Sequence, residues 1–449
     1  MTINRPLSLP RVFAFAGIGI PLAAIGLPMA VFVVPMYTTE LGLNTATTGL
    51  IFMMLRFWDL ITDPVMGWLV DRRPTAYGRF KHWIAGSVPI LMLSGFFLFI
   101  PSGETVSPAY LTICLAVFWL GFTMLQTPYA AWVPSIATDY DDRSRIFFWR
   151  EIFNTAMLLT VLIIPSILAS QFDFGLREQV LVMGVILLIS LPLSVLLAVL
   201  FVPDFPPAPD DKPPVFNLSV VRSILSDPAV WRVFSVEILI GIAIASTGGT
   251  FLFAAQWGFG VTSFSSVILL AYFIAGFAMM PAWLWFSRQT DKHIAVAAVA
   301  AWSSLTFIIY LPLSALGGGP ALLLAGAILT GLGYGAAPVL IRSMMADIIE
   351  RERLSTGESR AGIYYSLLSG AHKTGASFAI GIPYILLGTV VGFDPSTDNS
   401  DAAITGLMLV FVGVPVIAYG ASALIIRDYP LSRSADLSNE APHSSESTQ

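Results

Sequence analysis

Apolar stretches of about 20 residues recur from one end of this chain to the other, each long enough to cross the hydrocarbon core of a bilayer as a helix. Twelve such runs can be read, at about 12–37, 46–70, 82–101, 109–138, 146–170 and 178–202, then 230–257, 262–286, 294–316, 320–346, 362–391 and 404–427. They are continuous rather than alternating, so they spell helices and not barrel strands. Only 11% of the 449 residues are charged, against about 25% in a soluble chain. That leaves too few charges to coat a water-facing surface. The first run starts just after Arg11, is too long for a signal-peptide core, and reads as a retained span.

Several function classes drop out at this stage. A net charge of -5 argues against a nucleic-acid partner, which needs a basic face. The single cysteine, Cys114, lies inside an apolar run, which excludes a disulfide framework or a cysteine metal cluster. His82, His293, His372 and His443 are scattered without ligand spacing, and no HExxH, GxSxG or phosphate-cradling loop is visible. An enzyme is therefore not expected, and neither is an organic cofactor.

Loop charge gives an expected orientation. Arg72, Arg73, Arg79 and Lys81 follow span two, Arg143 and Arg145 follow span four, and Arg351, Arg353 and Arg360 follow span ten. Lys212 and Arg222 follow span six, and Arg288 and Lys292 follow span eight. The alternate loops hold Glu40, Glu104, Asp394, Asp398 and Asp401, with Arg177 the one exception. Basic loops mark the cytoplasmic side, so both termini are expected there, in a multi-pass protein of the cell (inner) membrane.

The proline-rich break at 203–229 divides an amino-terminal half, 1–202, from a carboxy-terminal half, 230–427; residues 428–449 form a polar tail expected to be disordered. WLVDRR near residue 68 and WLWFSR near residue 283 each close the second span of a half. The expected fold is all-α, with twelve transmembrane helices in two six-helix halves, the major facilitator arrangement with a solute site between the repeats. Its partners are the lipid bilayer and a small-molecule solute, and a monomer is expected.

Span two carries charges where they are costly. In MMLRFWDLITDPVMGWLVDR, Arg56, Asp59 and Asp63 fall at i, i+3 and i+7, on one helical face. A charge at the bilayer centre costs about 2.5–3.5 kcal/mol on insertion scales, so this stripe must face the bundle interior. Carboxylates one turn apart supply hard oxygen ligands for a small cation, or hold a proton. The bland alternative is an Arg56–Asp59 salt bridge with Asp63 packed on a neighbour, but one arginine cannot neutralise two aspartates.

Lys373, in the middle of span eleven, reads equally as counter-charge to the aspartates or as a mimic of the coupling cation. His372 beside it is expected to be packed and neutral. Arg150 in span five either donates to substrate hydroxyls or pairs with Glu151. Glu237 in span seven is expected at the membrane boundary beside Arg232. Asp71 and Arg72, at the end of span two, and Arg360, in the matching 346–366 loop, are expected to form a gate on the cytoplasmic face.

RFWDLITDPVMGWLVDR followed by GRFKHW resembles the signature of the glycoside–pentoside–hexuronide:cation symporter family, the melibiose-permease-like carriers of the major facilitator superfamily. PYAAWVPSIATDYDDRSRIFFWRE, ADIIERERLSTGESRAG and GAHKTGAS extend the resemblance over nearly the whole chain. It implies that Asp59 and Asp63 bind the coupling Na⁺ or H⁺ (Na⁺ being the one metal case), with Arg56 and Lys373 nearby. It also implies Ser369 as a neighbouring hydroxyl, Arg150 near the sugar, and cation-coupled symport of a glycoside by alternating access. Two positions depart from the pattern. The span-one aspartate that binds galactoside is missing, since no charge lies between Arg11 and Glu40, and the span-four acid stands as Gln126. Melibiose is therefore not the expected solute, and fewer anionic ligands leave H⁺ open beside Na⁺. An amphiphilic, lysolipid-like solute, carried or exported, is the alternative that suits the apolar first span.

Overall fold

The structure, a computed structural model, describes residues 6–72, 75, 78–137, 140–172, 174–204, 218–262, 264–356 and 361–430. Twelve long helical segments follow in order: α1 Leu9–Thr39, α2 Thr45–Arg72, α3 Lys81–Phe99, α4 Pro108–Ile136, α5 Tyr140–Phe172 and α6 Leu176–Phe201, then α7 Pro228–Gly258, α8 Ser265–Gln289, α9 Lys292–Ala315, α10 Pro320–Glu352, α11 Ile363–Val391 and α12 Asp401–Arg427. Eleven of them are apolar and long enough to cross a membrane by composition alone. The twelfth, α2, is a 28-residue helix whose apolar run, expected at 46–70, is interrupted by Arg56, Asp59 and Asp63.

Local chemistry sets several helix starts. Ser107, Asp227 and Ser400 each accept a backbone N–H of the first turn, from Tyr110, Ala229 and Ala403. Pro108, Pro228 and Pro320 occupy first helical positions, where the missing N–H costs nothing. The start of α3 is capped from a distance: Asp204 accepts the N–H groups of Phe80 and Lys81 at 2.8 and 2.9 Å. Beside it Trp132 Nε1 donates to the Pro203 carbonyl, so the chain leaving α6 is pinned to α3 and α4. A short helix, Leu218–Ser226, precedes α7. Residues 205–217 and 431–449, about half of the proline-rich break and most of the polar tail, lie outside the described residues.

Helix packing repeats with an offset of six. α1 packs on α5 and α6 as α7 packs on α11 and α12; α2 packs on α4 as α8 packs on α10; α3 packs on α6 as α9 packs on α12. The halves meet where α1 packs on α7 and along two further seams, α2 with α11 and α5 with α8, and these two are counterparts. The α2–α11 seam is close because it is built on glycine: a Cβ on Gly49 would lie 2.4 Å from Tyr384 Cβ. Small residues let backbones approach where lipid offers no hydrophobic drive between helices.

Candidate functional site

The sidedness of α2 follows from its sequence. Trp58, Ile61, Val65 and Trp68 are exposed and form an apolar outer stripe, while Phe52, Asp59, Thr62, Met66 and Val70 are buried. The expected inward face is therefore observed, and the acids lie on or beside it. Asp59 is the fifteenth residue of α2, about 21 Å along the helix from Thr45.

Asp59 is fully buried, and its Oδ2 accepts from Arg56 Nη1 at 2.9 Å. The Arg56 guanidinium lies 3.9 Å over the Trp119 ring of α4, which holds it in place without neutralising it. Asp59 Oδ1 is buried and has no hydrogen-bond partner among the described residues. Asp63, 27% exposed, is held from two other helices: Thr123 Oγ1 of α4 donates to its Oδ1 at 3.1 Å, and Lys373 Nζ of α11 donates to its Oδ2. The Thr62 hydroxyl lies 3.4 Å from that of Thr123. Phe57 and Phe378 meet edge to face at 5.1 Å on the same seam.

Each aspartate thus has its own cation. The local Arg56–Asp59 bridge forms, but Asp63 is tied across the seam to the other half. The cluster is balanced in charge and short of hydrogen bonds, because a buried carboxylate oxygen without a partner is costly. Among the described residues no group of three or more His, Cys, Asp or Glu side chains gathers for a metal, so any cation here would be held by two carboxylates helped by hydroxyls such as Thr62 and Thr123.

The other expected site residues are not gathered with these. Gln126 follows Thr123 by three residues on α4 and is half-buried. Of the two readings of Arg150, the pair with Glu151 does not form among the described residues. Its guanidinium lies 5.7 Å over Tyr129 and 5.4 Å over Phe147. Ser369 is exposed one turn before Lys373. Arg72 is exposed and lies 4.8 Å over the Trp68 ring; the Asp71 side chain and Arg360 lie outside the described residues.

Two expectations are corrected. Glu237 is not a boundary acid beside Arg232: its side chain is 5% exposed and paired with His372 at 2.9 Å, while Arg232 bonds the Asp428 carbonyl. His372 is not packed away, since its side chain is 47% exposed. Thr123 and Trp119 were missed because their positions on α4 carry no charge to mark them.

A separate cavity of about 260 Å³ lies between the halves, lined from α1, α5, α7, α8, α9, α10 and α12. Its walls are aliphatic and aromatic, with Tyr272, Tyr310, Tyr334, Thr247 and Thr330 the polar contributors. Tyr310 and Thr330 satisfy each other at 3.0 Å. Neither Gln126, Arg150 nor Ser369 lines it.

The family model described as MFS/sugar transport protein matches residues 14–433. YagG of Escherichia coli (strain K12), whose name carries a provisional glycoside/cation symporter assignment, is 25% identical, the match covering 88% of this chain and 86% of the relative. The inner membrane symporter YicJ of the same organism is 24% identical over 88% and 85%. The sodium-dependent lysophosphatidylcholine symporter 1 of Gallus gallus is 24% identical over 89% and 84%. Among solved structures the nucleoside transporter NupG superposes with a TM-score of 0.64 at 16% identity, covering 94% of this chain and 98% of that one. At that identity it speaks for the fold alone.

Proposed function

The chain belongs to the family of MFS/sugar transport proteins, and from that premise we propose that it is a symporter that couples movement of a sugar or glycoside to Na⁺ or H⁺ by alternating access. The observation that carries this is the buried Asp59 Oδ1, without a hydrogen-bond partner among the described residues, beside a second carboxylate whose counter-ion comes from the other half. Asp59 and Asp63 would hold the cation, with Thr62 and Thr123 as neutral oxygen donors. A positive charge at Asp63 competes with Lys373 for the same carboxylate. Because Asp63 belongs to the first half and Lys373 to the second, that competition acts on a tie between the halves. Lys373, once released, is a donor for a solute oxygen, and Arg56 keeps its place over Trp119. Similarity to cation symporters supports the reading.

The basic loops support an inner-membrane carrier with both termini in the cytoplasm. The gate assigned to Asp71, Arg72 and Arg360 belongs to this proposal, as do the two-half division at 203–229 and a monomeric state.

A second reading, an amphiphilic solute carried or exported, is favoured by one observation: the central cavity is apolar and aromatic and has no charged lining residue. A lysophosphatidylcholine symporter among the relatives supports it. Thermal midpoints of the purified carrier across a sugar panel and lysolipids, each with and without Na⁺ at two pH values, separate the readings, because binding to the folded state raises apparent stability. A sugar shift that grows with Na⁺ or with acid supports the first. A shift with lysolipid alone replaces it with the second.

A further inference from the structure

We infer that Glu237 and His372 form a second proton-binding site, in the carboxy-terminal half, separate from the Asp59/Asp63 pair and setting the charge beside Lys373. Glu237 is the tenth residue of α7, about 14 Å from the start of the helix. A carboxylate at such a depth is expensive unless compensated. Its Oε1 meets His372 Nδ1 at 2.9 Å, and its Oε2 is buried without a partner among the described residues. A neutral imidazole offers a hydrogen bond but no charge, so only the protonated ring balances the buried carboxylate. Imidazole is the side chain whose ordinary charge change falls between pH 5 and 8. The His372 side chain is 47% exposed, so the ring is not sealed within the helix packing.

The backbones fix this geometry. A Cβ on Gly375 would lie 2.3 Å from the Ile238 carbonyl oxygen, so α7 and α11 are in direct contact one turn from the pair. The charges around it come from three helices. Lys373 is its neighbour on α11 and reaches Asp63 of α2, where Arg56 and Asp59 also lie. Arg342 and Asp347 of α10 act on Tyr365, two turns before His372. α12 has no charged residue between Asp401 and Arg427. Lys373 is therefore the charged group adjacent in sequence. With a proton on the pair the local charge is zero; without it a lone carboxylate attracts Lys373 and weakens its hold on Asp63. This last consequence rests on the proposed cation role of Asp63, whereas the proton site does not.

The test follows the thermal midpoint of the purified full chain from pH 5.5 to 8.5 at fixed ionic strength, with K⁺ as the salt cation. Proton binding by the pair stabilises the fold, so the wild-type midpoint steps down as pH rises. His372→Gln and Glu237→Gln remove the step; Glu237→Gln keeps a hydrogen-bond acceptor for the ring and decides the matter if His372→Gln does not fold. His82→Gln and His293→Gln keep it. A wild type without the step, or a step that survives in Glu237→Gln, overturns the inference. A Na⁺ and Li⁺ titration on the same samples reports on the other site. Loss of that response in Asp63→Asn with the step retained supports both sites. No wild-type response to either ion, with a step that depends on His372, removes the metal-cation reading and leaves the proton site standing.

Discussion

α2 and α8 hold equivalent places in the two halves: each is a second span, each packs on the fourth span of its half, and each forms a seam with the opposite half. Yet α2 carries Arg56, Asp59 and Asp63 in its middle, while α8 has no charged side chain from Ser265 to Ser287. The same position in the same fold is thus built once without charge. α8 shows that packing and seam formation do not require an ion pair, so the α2 charges answer to something other than architecture. Replacing a buried pair by apolar residues is often neutral or stabilising, whereas orphaning one member is costly.

The strongest way to break this comparison is functional. Asp59→Asn and Asp63→Asn are expected to abolish concentrative uptake while the protein still reaches the membrane folded, measured as solute accumulation in vesicles. Normal accumulation by either variant would remove the cation assignment. Next comes stability. Asp59→Leu alone strands Arg56 and should cost about 3–5 kcal/mol. The double variant Arg56→Leu/Asp59→Leu makes α2 resemble α8 and should recover most of that loss, read as detergent-solubilised midpoints. A double variant no more stable than the single one would mean the pair is architectural.

The seam itself gives a smaller effect. Gly49→Leu forces a side chain where Tyr384 Cβ already lies within 2.4 Å, and overpacking of this kind costs about 1–3 kcal/mol. The smallest effect is at Thr123→Val, which removes a hydrogen bond to Asp63 and keeps the shape. Membrane hydrogen bonds average about 0.6 kcal/mol, so its midpoint should hardly move while its response to cations weakens.

What the sequence discloses follows from the range of each interaction. The apolar runs announce twelve spans, and the charges that interrupt the run of α2 are the same ones that mark it as a site. The Arg56–Asp59 bridge is local, at i and i+3, and is legible for that reason. The Asp63–Lys373 tie joins residues 310 apart, and Thr123 reaches Asp63 across 60. Periodicity says which way a side chain faces but not which helix it will meet. Glu237 shows the cost of arguing from nearness in sequence: Arg232 is five residues away, yet the partner is His372, 135 residues on. The charge of Arg150 points to hydrogen bonds or an ion pair, and the structure sets its flat face against two rings.

The central claim is that the α2 carboxylates exist to hold a coupling cation. The most direct measurement is the thermal midpoint of wild type and of the Asp59→Asn/Asp63→Asn double variant, titrated with Na⁺, with Li⁺ and with acid against a K⁺ reference at constant ionic strength. The account predicts that at least one of the three shifts the wild type more than the double variant. Equal responses of the two proteins to all three would contradict it, and would leave α2 a charged copy of α8 with no cation to bind.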